Sequence, residues 1–257
     1  MPSDPALPLS GRCVLVTGAS SGIGRAIALA AASHGADVAL TYRVNQDGAR
    51  DVVSAITALG RQAEMFALDL ASEASVRALS ARARDAFGRI DVWINNAGAD
   101  ILTGEAAALD TVSRLDRLIA IDLRGTMLAS WEAVALMQKQ AEGGVIINMS
   151  WDHVISGMPG TNPQLFAAVK GGVLAFSKAL ARSVAPAIRV NVIAPGWIET
   201  SFGEAVDEQV HRAVADSTPL KRWGKPEDVA GAAVYLASPA ADFLTGQTIM
   251  VGGGLVM

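Results

Sequence analysis

Short apolar runs recur along this chain, each followed by a stretch with helical spacing, and that alternation leaves few folds open. Cys13 to Val16, Val38 to Tyr42, Ala63 to Leu68, Val92 to Ile94, Val145 to Met149, Arg189 to Ile193 and Thr248 to Val251 read as strands. The first is apolar along its whole length and closed by Thr17-Gly18, the pattern of a strand buried on both faces. Between the strands, Ile23 to Ser33, Ala49 to Leu59, Ser72 to Phe87, Val112 to Gln138, Leu165 to Val184 and Pro226 to Ala237 carry apolar residues at helical spacing. Strands joined by crossover helices pair in parallel, so the alternation predicts one α/β domain with helices on both faces of its sheet.

Composition agrees with a large core and removes several function classes. Apolar residues make up 51% of the chain and charged residues 18%, too apolar for a disordered segment. Lys and Arg number 21 against 25 Asp and Glu, a net charge of -4, and no basic cluster interleaves with aromatics, so nucleic acid is not an expected partner. Cys13 is the sole cysteine and the three histidines are scattered, so no disulfide or metal site is expected. No apolar run reaches the roughly 18 residues of a membrane span, and MPSDPALPLSGR lacks a secretory pattern; a cytoplasmic protein is expected. The Pro-rich residues 1–10 read as an arm and 11–257 as a single domain.

Gly18-Ala19-Ser20-Ser21-Gly22-Ile23-Gly24 falls between the first strand and the first helix. There a glycine turn lets backbone approach a phosphate, and the helix N-terminus offers unpaired N–H groups to it. A strand-to-helix turn wants glycine in any case, so this motif alone is weak. Its position nevertheless predicts a doubly wound, Rossmann-type domain with a mainly parallel seven-stranded sheet.

Further motifs stand in order: Asn95-Asn96-Ala97-Gly98 after the fourth strand, then Pro195-Gly196 after the sixth with Thr200 beyond. Together with the glycine turn they make the chain resemble the short-chain dehydrogenase/reductase family from Gly11 to about Gly254. The resemblance implies an NAD(P)-dependent oxidoreductase acting on a small molecule and assembled as a homotetramer in the manner of the family. It also implies cofactor contacts from Gly18, Ser20, Ser21, Gly22, Ile23, Gly24, Asn96, Ala97, Gly98, Pro195, Gly196, Ile198 and Thr200. Asp69 resembles the family's adenine-contacting aspartate, beside Leu70; the competing role is a helix cap.

No acidic residue ends the second strand, where one would bind a free ribose hydroxyl. Thr41-Tyr42-Arg43 stands there instead. Arg43 can pair with a 2′-phosphate through its planar fork, so NADP(H) is expected over NAD(H); the alternative is a solvated loop charge.

At the reacting end the family pattern breaks. Members use a tyrosine acid, a lysine four residues later on the same helix, a serine at a strand end and an asparagine on the long helix. Lys170 matches the lysine, but Phe166 stands at the tyrosine, Trp151 at the serine with Ser150 before it, and Asp122 at the asparagine. Asp122 is expected to pair with Lys170, which keeps its role of holding the cofactor ribose. Asp152 and His153 are the candidate replacement acids, with helix capping or solvation as the bland reading. Ser150 remains a candidate to orient the substrate. Gln164 is placed on the same rim, the loop Thr161 to Gln164 is expected to be reshaped, and Trp151, Phe166 and Trp197 are expected to wall an aromatic pocket. A substrate lid is expected around 197–217, including Phe202 and Gly203. His34 and His211 read as solvated.

The leading expectation is a divergent NADP(H)-dependent oxidoreductase acting on a small organic carbonyl, alcohol or imine. Imine reduction suits a site without a phenol, because a cationic C=N carbon takes hydride without a concerted proton, and Asp122 and Asp152 are expected nearby. The alternatives are a catalytically silent nucleotide-binding protein and a non-redox cyclase or dehydratase on the same scaffold.

Overall fold

A computed structural model describes residues 7–200 and 206–257. Its centre is a seven-stranded sheet in the order β3-β2-β1-β4-β5-β6-β7. The strands are β1 (Cys13–Val16), β2 (Asp37–Tyr42), β3 (Ala63–Ala67), β4 (Val92–Asn95), β5 (Gly144–Met149), β6 (Ile188–Pro195) and β7 (Thr248–Val251). Every neighbouring pair is parallel. The helices are α1 (Gly22–Ser33), α2 (Gln46–Ala58), α3 (Glu73–Phe87), α4 (Thr111–Leu118), α5 (Thr126–Met137), α6 (His153–Ser156), α7 (Thr161–Val184), α8 (Glu208–Ser217) and α9 (Pro226–Ala237).

Successive strand residues feed opposite cores. Val14 and Val16 join one cluster with the alanine-rich faces of α1 and α9, while Cys13 and Leu15 join the other with residues of α3, α5 and α7. Small residues at Ala28, Ala31 and Ala32 of α1, and at Ala230, Ala233 and Ala237 of α9, are buried and let these two helices pack closely. The strand order reverses between β1 and β4, which opens a crevice at the carboxyl ends of the strands, where such sheets bind ligands.

Four departures from the sequence reading have local causes. The long helix expected over Val112 to Gln138 is divided: α4 passes into a π-helical stretch, Ile119–Gly125, and then into α5. Such widened turns concentrate at functional sites, and this one carries Asp122. Residues 161–164 form no reshaped loop; they are the first turn of α7, where Pro163 removes an N–H that would lack an intrahelical partner anyway. Leu9, assigned to the arm, is 1% exposed, and its N–H donates to the His34 carbonyl at 2.9 Å, so residues 7–10 lie against the domain. Of the expected lid, α8 is helical, while Phe202 and Gly203 lie outside the described residues.

Candidate active site

The nucleotide end is built by a reciprocal clamp between the ends of β1 and β4. Thr17 Oγ1 accepts the N–H groups of Asn96 and Ala97, each at 3.0 Å, and Asn96 Nδ2 donates to the carbonyls of Thr17 and Gly18 at 3.0 and 3.1 Å. Gly18 has φ +65°, and a Cβ on it would sit 2.9 Å from Ala97. At Gly24 a Cβ would come within 2.2 Å of the Gly18 carbonyl oxygen. The turn is therefore folded as tightly as backbone permits. Ser21, the N-cap of α1, makes no side-chain capping bond, and the first turn carries no acid. The positive end of the helix is thus left for an anion, and the turn fits a dinucleotide pyrophosphate. Thr200 lies above it, its Cγ2 3.6 Å from a Cβ built on Gly22.

A cavity of about 370 Å³ continues from this turn, lined by Ser20, Ser21, Arg43, Asp69, Leu70, Asn96, Ala97 and Gly98. Arg43 is exposed at its edge. Asp69 does not cap α3; that role belongs to Ser72, whose side chain accepts the Ser75 N–H, while Asp69 Oδ1 closes a tight turn onto the Ala71 N–H at 3.0 Å. Arg117 also lines the cavity. The sequence reading missed it, although it stands four residues before Ile121, a position facing the same space.

A second cavity, of about 440 Å³, meets the first at Asn96 and occupies the reacting end. Trp151, Phe166 and Trp197 line it together with Ser150, Lys170, Pro195, Gly196, Ile198 and Thr200. Trp223, which the sequence reading missed, completes the wall. Its place follows from a backbone tie: Gly224 donates its N–H to the Trp197 carbonyl at 2.8 Å and accepts the Glu199 N–H at 2.8 Å, which fastens the segment after α8 to the Pro-Gly loop. No motif announces that long-range pairing.

Lys170 Nζ stands 2.8 Å from Asp122 Oδ2, and Asp122 Oδ1 accepts the Ala99 N–H at 2.7 Å. The aspartate is 1% exposed and both its oxygens are engaged, so it supports the lysine and the β4 loop and leaves no oxygen for a substrate. A Cβ on Gly98 would lie 2.7 Å from Oδ2, which accounts for glycine there.

Several expected site residues need correction. The Ser150 hydroxyl donates to the Lys170 carbonyl at 2.9 Å, so its hydrogen is turned into the helix and cannot orient a substrate as donor. Asp152 is 0% exposed and does not line the cavity. His153 is also outside the lining; its ring stacks on Trp151 at 4.9 Å and meets Trp197 edge-on at 6.4 Å, one layer behind the wall. Gln164 is exposed beyond the rim, where Asn162 and Pro163 stand instead. His211 is stacked on Trp223 at 4.7 Å, and His34 bonds the Ala30 carbonyl at 2.8 Å, so neither is simply solvated.

Asp152 holds His153 Nδ1 at 2.6 Å through Oδ1. Its Oδ2 has no hydrogen-bond partner and faces Gly196 and Gly252, where built Cβ atoms would lie 2.5 and 2.3 Å away. Burial pushes this carboxyl above the ordinary aspartate range, against the opposing hydrogen bond from His153. A raised folded-state value contributes stability that is complete below the unfolded value near 3.8 and is lost as pH rises through the folded one. The stability advantage of the wild type over Asp152→Asn is therefore expected to be greatest near pH 4 and to shrink towards pH 7. Urea midpoints at the two pH values measure this; an advantage that grew with pH would refute desolvation as the dominant influence on this carboxyl.

A parallel sheet with its switch-point crevice, a glycine turn opening on a helix N-terminus and Lys170 in the lining of the adjoining cavity fit a dinucleotide-binding protein. Comparison with known proteins agrees. The family model described as enoyl-(acyl carrier protein) reductase matches residues 18–256. An uncharacterized oxidoreductase, YxbG, of Bacillus subtilis is 38% identical over 96% of this chain and 92% of its own length. The L-rhamnose 1-dehydrogenase (NAD(P)(+)) of a Sphingomonas species is 36% identical over 96% of this chain and 97% of its own. A short-chain dehydrogenase of Burkholderia cenocepacia, solved with NADP, superposes with a TM-score of 0.87 at 32% identity, covering 96% of this chain and 99% of that one. This chain belongs to the short-chain dehydrogenase/reductase family of NAD(P)-dependent oxidoreductases.

Proposed function

We propose that this protein is an NADP(H)-preferring oxidoreductase acting on a small organic carbonyl, alcohol or imine, with Lys170 and without a phenolic acid. The observation that carries this reading is the pairing of an intact nucleotide end with a reacting cavity in which Phe166 stands one helical turn before Lys170. When bound, the nicotinamide cofactor supplies or accepts the hydride. Gly18 to Gly24 would receive its pyrophosphate, Pro195, Gly196, Ile198 and Thr200 would border its nicotinamide, and Lys170 would hold its ribose. Asp122 fixes the direction of the Lys170 ammonium.

The preference for the phosphorylated cofactor is supported by Arg43 at the edge of the adenosine cavity, with Ser20 and Ser21 beside it. A charge-assisted hydrogen bond to phosphate contributes about 1.5–3 kcal/mol. Arg43→Ala is therefore expected to reduce the ratio of NADPH to NADH affinity by roughly tenfold or more. Titration of tryptophan fluorescence with both nucleotides measures it, and equal affinities in the wild type would sink the preference.

We also infer a homotetramer acting in the cytoplasm. Trp131 is 49% exposed on α5 and packs edge-on against Phe176 of α7 at 5.9 Å, an aromatic surface suited to burial between copies. No helix among the described residues is long and apolar enough to cross a membrane. Light scattering at micromolar concentration should return four chain masses; a monomer would contradict the assembly.

A further inference from the structure

We propose that Asn162 reads the far end of the substrate, its amide NH2 donating to an oxygen acceptor that the substrate carries away from its reacting carbon. The inference rests on the oxidoreductase reading above and names a feature of its substrate class: an apolar carbonyl or imine compound with a second oxygen acceptor. Asn162, Phe166 and Lys170 follow one another at intervals of four on α7, so they share one face of the helix, and all three line the reacting cavity. Eight residues at about 1.5 Å each set Asn162 roughly 12 Å from Lys170 along the helix axis.

Chemistry settles which way the amide faces. Arg114 Nη1 donates to Asn162 Oδ1 at 3.0 Å. A guanidinium has donors and no acceptor, so it can face only the carbonyl oxygen of the amide, and the NH2 is turned the other way. Nδ2 makes no hydrogen bond among the described residues and is not sealed from solvent. Arg114 is itself fixed: Nη2 donates to the Ala107 carbonyl ahead of α4, and Ile101 and Leu118 pack with Leu165 and Val169, which ties α4 to α7. The other amide in the lining is not free in this way, since Asn96 Nδ2 is spent on the carbonyls of Thr17 and Gly18.

Much of the remaining lining is apolar, including Leu102, Met149, Met158, Pro163 and Phe166, and among the described residues no carboxylate lines the cavity to compete for the NH2. The first turn of α7 carries no acid and no capping side chain, so the potential around Asn162 also favours an electronegative atom. A substrate without an acceptor there would strip water from the NH2 and return nothing, and a site built in this way discriminates against it. The reacting end keeps donors of its own, because the Lys170 ammonium has three and Asp122 takes one. The cavity thus offers hydrogen-bond donors at two places set apart along α7, with apolar surface in the rest of its lining.

The test titrates the tryptophan fluorescence of the whole protein, with NADP+ present so that nothing is reduced. The probes are methyl 7-oxooctanoate and 2-decanone, ketones of equal chain length with and without the second acceptor. Asn162→Leu, which keeps the size and removes the donors, is expected to lower the ratio of ester to decanone affinity about fivefold. Asn162→Asp, which keeps an acceptor for Arg114 and has no NH2, should lower it as far. Arg114 is a positioning residue: Arg114→Met should lower the ratio about two- to threefold by freeing the amide to turn, and Arg114→Lys, which keeps a donor for Oδ1, should restore most of it. Melting curves show which variants are folded. An unchanged ratio in a folded Asn162 variant, or a wild type that binds the ester no better than that variant does, would overturn the inference. Absorbance of NADPH mixed with each ketone tests the underlying reading separately. Consumption with an unchanged ratio overturns the role of Asn162 and leaves the oxidoreductase reading. A lowered ratio with no consumption by either ketone supports the role of Asn162 and overturns carbonyl reduction.

Discussion

Asp122→Ala is expected to cost about 3–5 kcal/mol of stability, because it leaves the Lys170 ammonium largely buried without its partner. The Lys170 side chain is 13% exposed and that of Asp122 2%, so water compensates little. The substitution also removes the acceptor of the Ala99 N–H, and with it one anchor of the loop after β4. Asp122→Asn keeps that acceptor and the shape but turns an NH2 donor towards the Lys170 ammonium, so it should cost less than Asp122→Ala and still destabilise clearly. Removing both charges in Asp122→Asn with Lys170→Met should recover most of the loss relative to Asp122→Ala, since an absent pair is less harmful than a broken one. Urea denaturation of the four proteins checks the order. A loss below about 1 kcal/mol in Asp122→Ala would mean that the pair is solvated and contributes as a surface ion pair does.

The second large effect is on turnover. Lys170→Met should lower the single-turnover rate by about 10² or more, by loosening the placement of the cofactor at the reacting end. Phe166→Tyr should change the natural reaction by less than about threefold, because no group in the site is arranged to pass a proton through the new hydroxyl. The neighbouring hydrogen-bond capacity is already committed: Ser150 to the Lys170 carbonyl, and Asp122 to Lys170 and Ala99. A positioned general acid contributes about 10²–10⁴ to a rate, so a gain of that size from Phe166→Tyr alone would show that the site is a carbonyl reductase with one part missing. Melting curves of both variants distinguish lost chemistry from lost folding.

The nucleotide end was legible in the sequence because backbone geometry dictates it. Gly18 and Gly24 occupy positions where a Cβ would strike Ala97 or the Gly18 carbonyl, and Asn96 stands where one side chain reaches two carbonyls. Such demands leave a fixed residue at a fixed spacing. The Lys170 pairing with Asp122 was legible for a related reason, since an acid replacing the asparagine in register faces the retained lysine across adjoining helices.

The direction in which loop side chains turn was not legible. Asp152 and His153 follow a strand end and looked poised over the cofactor, yet a four-residue helix at His153–Ser156 turns the acid under Gly196 and Gly252 and the imidazole behind Trp151. A helix of that length carries no periodic signal. Trp223 was missed because its partner, Trp197, is distant in sequence and the tie between them runs through backbone atoms of Gly224. The π-helical turn at Ile119–Gly125 likewise leaves the apolar spacing of a long helix almost unchanged while it carries the buried Asp122.

The central claim, hydride transfer in a site that does not rely on a phenol, is tested most directly by single-turnover absorbance at the reduced nicotinamide band. The wild type and the double substitution Phe166→Tyr with Trp151→Ser would each be mixed with NADPH and with an iminium or a ketone. The wild type is expected to consume about one equivalent per site with the iminium, and the double substitution to gain less than about tenfold with the ketone. A wild type inert to both acceptors, together with ketone turnover in the double substitution about 10²-fold or more above the wild-type background, would contradict it.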